Sequence, residues 1–236
     1  MDSIEKKIIT ESIRVSSIVT LDNPAIAPIT DGFIEESTYN NSKYKCCIIL
    51  KEPFDDFDEG EPCGGDWSFS NIFKKWDINA PINRQNSISR VSAIVYSINH
   101  DFCDTKNLTS EQLKEGFAAC YWINLSKTPA YSATRYNKEL KRKVKLWSQV
   151  VHDQLIQANP DIMLFGYTWD WYYLDFPYNE KFDSMKAYPE NSSKPKVRIL
   201  KAGEDKISVD AYHPGRKNLD YETLIISSIK DYLSLN

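Results

Sequence analysis

Short, unbroken apolar runs alternate along this chain with long segments of helical spacing, and that alternation limits the fold more than any other feature. Cys46-Cys47-Ile48-Ile49-Leu50 is apolar at every position and stops at Lys51-Glu52-Pro53. Ala118 to Leu125 and Ile162-Met163-Leu164-Phe165, closed by Gly166, repeat the pattern. Runs this short and continuous are those of strands buried on both faces, as in parallel sheets. Between them, apolar residues recur at helical spacing in Ser87 to His100 and in Arg135 to Asn159. Val197 to Leu200 and Ile207 to Ala211 are two further expected strands, and Asn218 opens a last helix reaching about Leu235. Parallel strands need crossovers, so the expected class is α/β: three layers, with a central, mainly parallel sheet between helices.

The chain is long enough for one large domain. Its 236 residues are 42% hydrophobic and 26% charged, which excludes disorder and fibrous repeats. Residues 1–43 combine a helical pattern (Ile4, Ile8, Ile9, Ile13) with a Pro/Asp/Asn-rich stretch and are expected to form an N-terminal helix and wrapping arm. Residues 44–236 are expected to form the domain proper. A net charge of −4 argues against an overall basic surface, though a local basic groove is compatible with it. The aromatic content of 13% supplies rings for a core or for stacking on flat ligands. Five cysteines without a CxxC pair read as reduced thiols, and a charged N-terminus with no long apolar run points to a cytoplasmic protein that does not enter a membrane. No metal or other cofactor is expected, because three or four clustered ligands are missing.

In a parallel sheet, ligands gather beyond the carboxyl ends of the strands, so Glu52, Asn124, Gly166 and His213 are the residues to weigh. A carboxylate at the mouth of a low-dielectric crevice, as Glu52 would be, can activate water or stabilise a developing cation; it can equally cap a backbone amide. The Asn124 amide suits the edge of a nucleobase or an Asx turn. His213, in Asp210-Ala211-Tyr212-His213-Pro214-Gly215, can donate a hydrogen bond to a leaving group departing as an anion. His100 with Cys103 has no third partner in the sequence, and His152 lies within a helix, so both read as structural. Lys138, Lys141, Arg142, Lys143 and Lys145 read as a solvated helix face. A second basic group, Lys194, Lys196, Arg198 and Lys201, precedes Arg216 and Lys217, and basic residues beside a strand-end crevice can hold phosphates.

Taken in order, these strand ends resemble the uracil-DNA glycosylase superfamily. The first motif is similar to Ile48-Ile49-Leu50-Lys51-Glu52-Pro53 followed by Gly60-Glu61-Pro62-Cys63-Gly64. The second is similar to Asn124-Leu125-Ser126-Lys127-Thr128-Pro129, the third to Pro160-Asp161-Ile162-Met163-Leu164-Phe165-Gly166, and the fourth to His213-Pro214-Gly215. The resemblance spans about residues 45–235. It implies that fold and a hydrolase of the glycosidase type, which removes uracil or another modified base from DNA in repair by cleaving the N-glycosidic bond of a flipped nucleotide. By this likeness Glu52 and His213 would be catalytic. Asn124 would bind the base, with Phe54 or Phe69 as the stacking ring. Lys127, Arg216 and Lys217 would meet the nucleic-acid backbone. The expected partner is DNA or a nucleotide. Lys51 replaces the family's glycine, Cys63 its stacking aromatic, and Lys217 its apolar wedge, while Trp169-Asp170-Trp171 belongs to an insertion. These departures fit an alternative, a catalytically inactive binding module for nucleic acid or nucleotide on the same fold.

Overall fold

A computed structural model describes residues 4, 6–8, 10–11, 28–53, 57–58, 61–62, 67–80, 86–127, 138–171, 185–188, 196–202, 205–215 and 220–234. Nine strands are present among them: β1 (Gly32–Phe33), β2 (Cys46–Leu50), β3 (Phe57–Asp58), β4 (Glu61–Pro62), β5 (Cys120–Asn124), β6 (Ile162–Gly166), β7 (Met185–Tyr188), β8 (Val197–Lys201) and β9 (Ile207–Ala211). The six helices that matter here are α1 (Glu36–Asn41), α2 (Phe69–Lys74), α3 (Ser87–Asn99), α4 (Ser110–Ala118), α5 (Lys138–Ala158) and α6 (Tyr221–Ser234). Seven strands form one sheet in the order β1-β5-β2-β6-β9-β8-β7, and β3 and β4 make a separate two-stranded ribbon.

The four central strands, β5, β2, β6 and β9, run parallel, and every residue of β2, β5 and β6 is buried. Continuous burial is what their unbroken apolar runs require. The periphery differs from the all-parallel expectation. β8 pairs antiparallel with β9, β7 with β8, and β1 with β5. Only a few residues separate β8 from β9, too few for a crossover, so the second strand turns back on the first.

Alternation along each strand divides the core in two. Cys46, Ile48, Leu50, Trp122, Leu164 and Val209 face one cluster, together with Val91, Ile94, Val95 and Ile98 of α3 and Ile225, Ile226 and Ile229 of α6. Cys47, Ile49, Tyr121, Ile123 and Phe165 face the other, against Leu140, Val144 and Val151 of α5. Helices therefore cover both sheet faces, giving three layers. The N-terminal arm joins both layers: Ile29 and Ile34 enter the first cluster, and Tyr39 enters the second, where its hydroxyl donates to the Ala158 carbonyl at 3.1 Å. Two short elements of this region, β1 and α1, carry no run long enough to announce itself in sequence.

Helix ends follow local chemistry. Thr109 and Gln112 cap α4 reciprocally, and the Asn86 side chain accepts from Ser89 N–H at 2.7 Å at the start of α3. Among the described residues no helix is long and apolar enough to cross a membrane, and no group of three His, Cys, Asp or Glu is placed to hold a metal ion. Cys46, Cys47, Cys103 and Cys120 are free thiols.

Candidate functional site

The chain leaves β2 toward β5 on one side and leaves β6 toward β9 on the other. Loops that part in this way open a crevice at the carboxyl ends of the two strands. Leu50 and Gly166 form its floor: a Cβ on Gly166 would lie 2.4 Å from Leu50 Cδ2, 3.1 Å from Pro214 Cδ and 3.7 Å from His213 Cα. Only glycine lets the β2, β6 and β9 ends close to this degree. Sheet-like bonding continues past the strands, with Leu125 N–H donating to Leu50 O, Ser126 N–H to Lys51 O and Tyr167 N–H to Ala211 O. The Thr168 hydroxyl donates to the Ile49 carbonyl at 2.8 Å and ties the loop after β6 back to β2.

Glu52 and His213 thus stand at the same end of the sheet, two strand spacings apart, or about 10 Å between backbones. Both are half-buried, and Glu52 Oε1 is shielded from solvent. His213 Nδ1 accepts the backbone N–H of Gly215 at 3.0 Å. In a neutral imidazole the proton then sits on Nε2, which becomes the donor. Gly215 is required for that turn, since a Cβ there would lie 3.1 Å from His213 Nδ1 and 3.2 Å from Ser87 Oγ at the start of α3.

Asn124 lies at the end of β5 but is already engaged. Asp31 Oδ2 accepts from its backbone N–H at 2.6 Å and from its Nδ2 at 3.3 Å. Lys127 corrects the expectation of a phosphate contact: its side chain is wholly buried, with Nζ 2.6 Å from Asp31 Oδ1 and 2.7 Å from Gln154 Oε1. Gln154 completes the group by donating to Asp31 Oδ1 at 2.7 Å. Burial pulls the Lys127 ammonium below the usual lysine range, and the Asp31 carboxylate opposes that pull. Phe69 also differs from its expected role. It is 6% exposed and stacks on Trp122 at 4.6 Å inside the core, so it offers no face to a base. Phe54, Cys63, Arg216 and Lys217 lie outside the described residues.

Lys51, the departure from the family's glycine, places its ammonium 4.6 Å from the Tyr167 ring centroid and 5.4 Å from that of Trp171. Those distances are within cation–π range. Tyr167 is half-exposed and holds φ of 60°, in the left-handed region. His100 has a structural explanation: it stacks on Tyr96 at 4.0 Å and bonds Glu115 at 2.9 Å, away from the crevice.

Asp31, Gln154 and Tyr167 are the polar participants that sequence reasoning missed. Asp31 and Gln154 come from an irregular arm and a helix interior, and neither position carries a motif. Full burial of Lys127 is the signal that reveals them. No family model matches the chain, and no curated protein matches it.

Proposed function

We propose that the protein hydrolyses an N-glycosidic bond, acting on uracil or another modified base in DNA or a nucleotide, on a uracil-DNA glycosylase-like fold. The observation that carries this reading is the Gly215 N–H bond to His213 Nδ1, which makes Nε2 the donor at the end of the sheet where Glu52 also stands. In the proposed reaction, Glu52 orients or activates water toward C1′ and offsets positive charge on the sugar. His213 Nε2–H donates to the base as it leaves with the bonding electrons. Neither role requires a metal.

The test uses the purified full chain on single-stranded uracil DNA and on strands carrying other modified bases, with alkaline cleavage to reveal abasic sites. Glu52→Gln and His213→Gln are each expected to lower the excision rate about 100-fold or more. Absence of abasic sites from the wild type on every substrate refutes the hydrolase.

A second reading has its own support. The Asn124 amide is committed to Asp31, and Lys51 occupies the space beside Tyr167 where the family keeps a bare backbone. Both features suit a module that binds a nucleic acid or nucleotide without turnover. Tight binding with unchanged substrate, indifferent to Glu52→Gln, would favour it.

A further inference from the structure

On the α5 side of the sheet, a cavity of about 300 Å³ opens beside β8 and β9. Tyr167, Trp169, Trp171 and Tyr212 line it with aromatic residues. Its polar lining is Lys196, Arg198, Asp170 and Asp210, whose formal charges cancel. Arg198 and Asp210 are register partners on adjacent strands. Arg198 Nε donates to Asp210 Oδ2 at 2.7 Å, and its Nη2 reaches the same oxygen and, at 3.6 Å, Asp170.

Because both contacts fall on Oδ2, Asp210 Oδ1 and Arg198 Nη1 make no hydrogen bond among the described residues. The pair therefore presents an acceptor beside a donor to an aromatic-walled space. The Asp210 side chain is 15% exposed and that of Arg198 32%, so a ligand can reach both while part of the competing water is excluded.

We infer that this cavity binds an uncharged planar heteroaromatic ring whose edge carries a donor beside an acceptor, which is the chemistry of a nucleobase or nucleoside. Stacking on the aromatic wall supplies affinity, and the Arg198–Asp210 edge supplies orientation. Cancelled charge disfavours an anionic ligand, and the volume suits one or two rings rather than a strand. The site is distinct from the Glu52–His213 end, since the His213 loop packs against Ser87 of α3 on the opposite face. It does not depend on the hydrolase reading.

Binding of uridine, cytidine, adenosine and guanosine to the full chain is measured by calorimetry, with quenching of tryptophan fluorescence as a second readout. At least one nucleoside is expected to bind with Kd of about 1 mM or tighter. Asp210→Asn, nearly isosteric, and Arg198→Gln should each weaken it about tenfold or more, while Glu52→Gln leaves it unchanged. Melting curves confirm that each variant is folded, and Asp210→Asn carries the test where Arg198→Gln unfolds. The 5′-monophosphate is expected to bind no better than its nucleoside. A ten-nucleotide single strand that competes with the nucleoside identifies a base within a strand as the source; failure to compete identifies a free nucleoside, and both support the shared chemistry. The inference is overturned if no nucleoside binds at about 10 mM, if folded Asp210→Asn binds as wild type, if Glu52→Gln abolishes binding, or if the monophosphate binds tenfold tighter.

Discussion

Asp31 and Lys127 both have fully buried side chains, so their charges are compensated only by each other and by Asn124 and Gln154. Removing one partner leaves the other charge stranded in a low-dielectric interior, which costs about 3–5 kcal/mol. Lys127→Met is therefore expected to lower the unfolding free energy by that amount in urea titrations. The double replacement Asp31→Leu with Lys127→Met should cost less than the sum of the single changes, because no unpaired ion remains. Equality of the double mutant with that sum would show that the two side chains do not act as a pair. The same residues show where sequence reading stops. Lys127 follows a strand-end Asn and is basic, and nothing local distinguishes a lysine that meets solvent from one paired inside. Its partners lie 96 and 27 positions away along the chain.

At the scale of elements, α3 and α4 approach until side chains no longer separate them. A Cβ on Gly116 would lie 2.1 Å from the Ser92 carbonyl oxygen and 2.9 Å from Tyr96 Cβ. The obstacle is largely backbone, so it cannot rotate away. Gly116→Ala is expected to destabilise the fold by about 1–3 kcal/mol or more through overpacking, read as a shift in the urea midpoint. A midpoint within error of wild type would mean that the two helices can part freely. Gly166→Ala tests the crevice floor in the same way, with Leu50, Pro214 and His213 as the neighbours that must shift. Since His213 rides on one of them, this change should reduce any excision activity more than it reduces stability. The long elements, β2, β5, β6, α3 and α5, were legible because their apolar spacing matches one period over many residues. The two-residue strand β1 and the six-residue helices α1 and α2 were not, because so few residues cannot display a period.

At the scale of the whole molecule, protonation links α5 to acid stability. Burial lowers the His152 imidazole below its ordinary value of 6.5, with Lys7 adding to the effect and Asp153 opposing it. A depressed histidine is protonated first in the unfolded chain, so its contribution is lost as pH falls from about 6.5. Hydrogen bonds from Lys7 and Gln149 hold the Asp153 carboxyl below its ordinary 3.8 against the opposing effect of burial, so that contribution disappears as pH falls below about 3.8. Asp210 has the opposite sign. Burial raises it despite Arg198, so the folded chain takes up that proton first and gains stability as pH falls toward 3.8. The expected outcome is a decline in unfolding free energy beginning between pH 7 and 6. His152→Gln should remove this first decline, and Asp153→Asn should flatten the one below pH 4. An unchanged profile in His152→Gln would contradict the assignment of the upper limb.

The α/β class and the parallel centre of the sheet follow from local pattern, since burial on both faces demands apolar residues at consecutive positions wherever they sit in the chain. The placement of Glu52, Asn124 and His213 beyond strand ends follows from the same runs. What those side chains face is a different matter. Asn124 turned toward Asp31, Lys127 withdrawn from solvent, Phe69 stacked on Trp122 and Arg198 forked on Asp210 are outcomes of contacts between distant segments. A polar residue's energy depends on its partner and on the water it loses, and neither is encoded by its immediate neighbours, so these four environments emerged only when the layers packed.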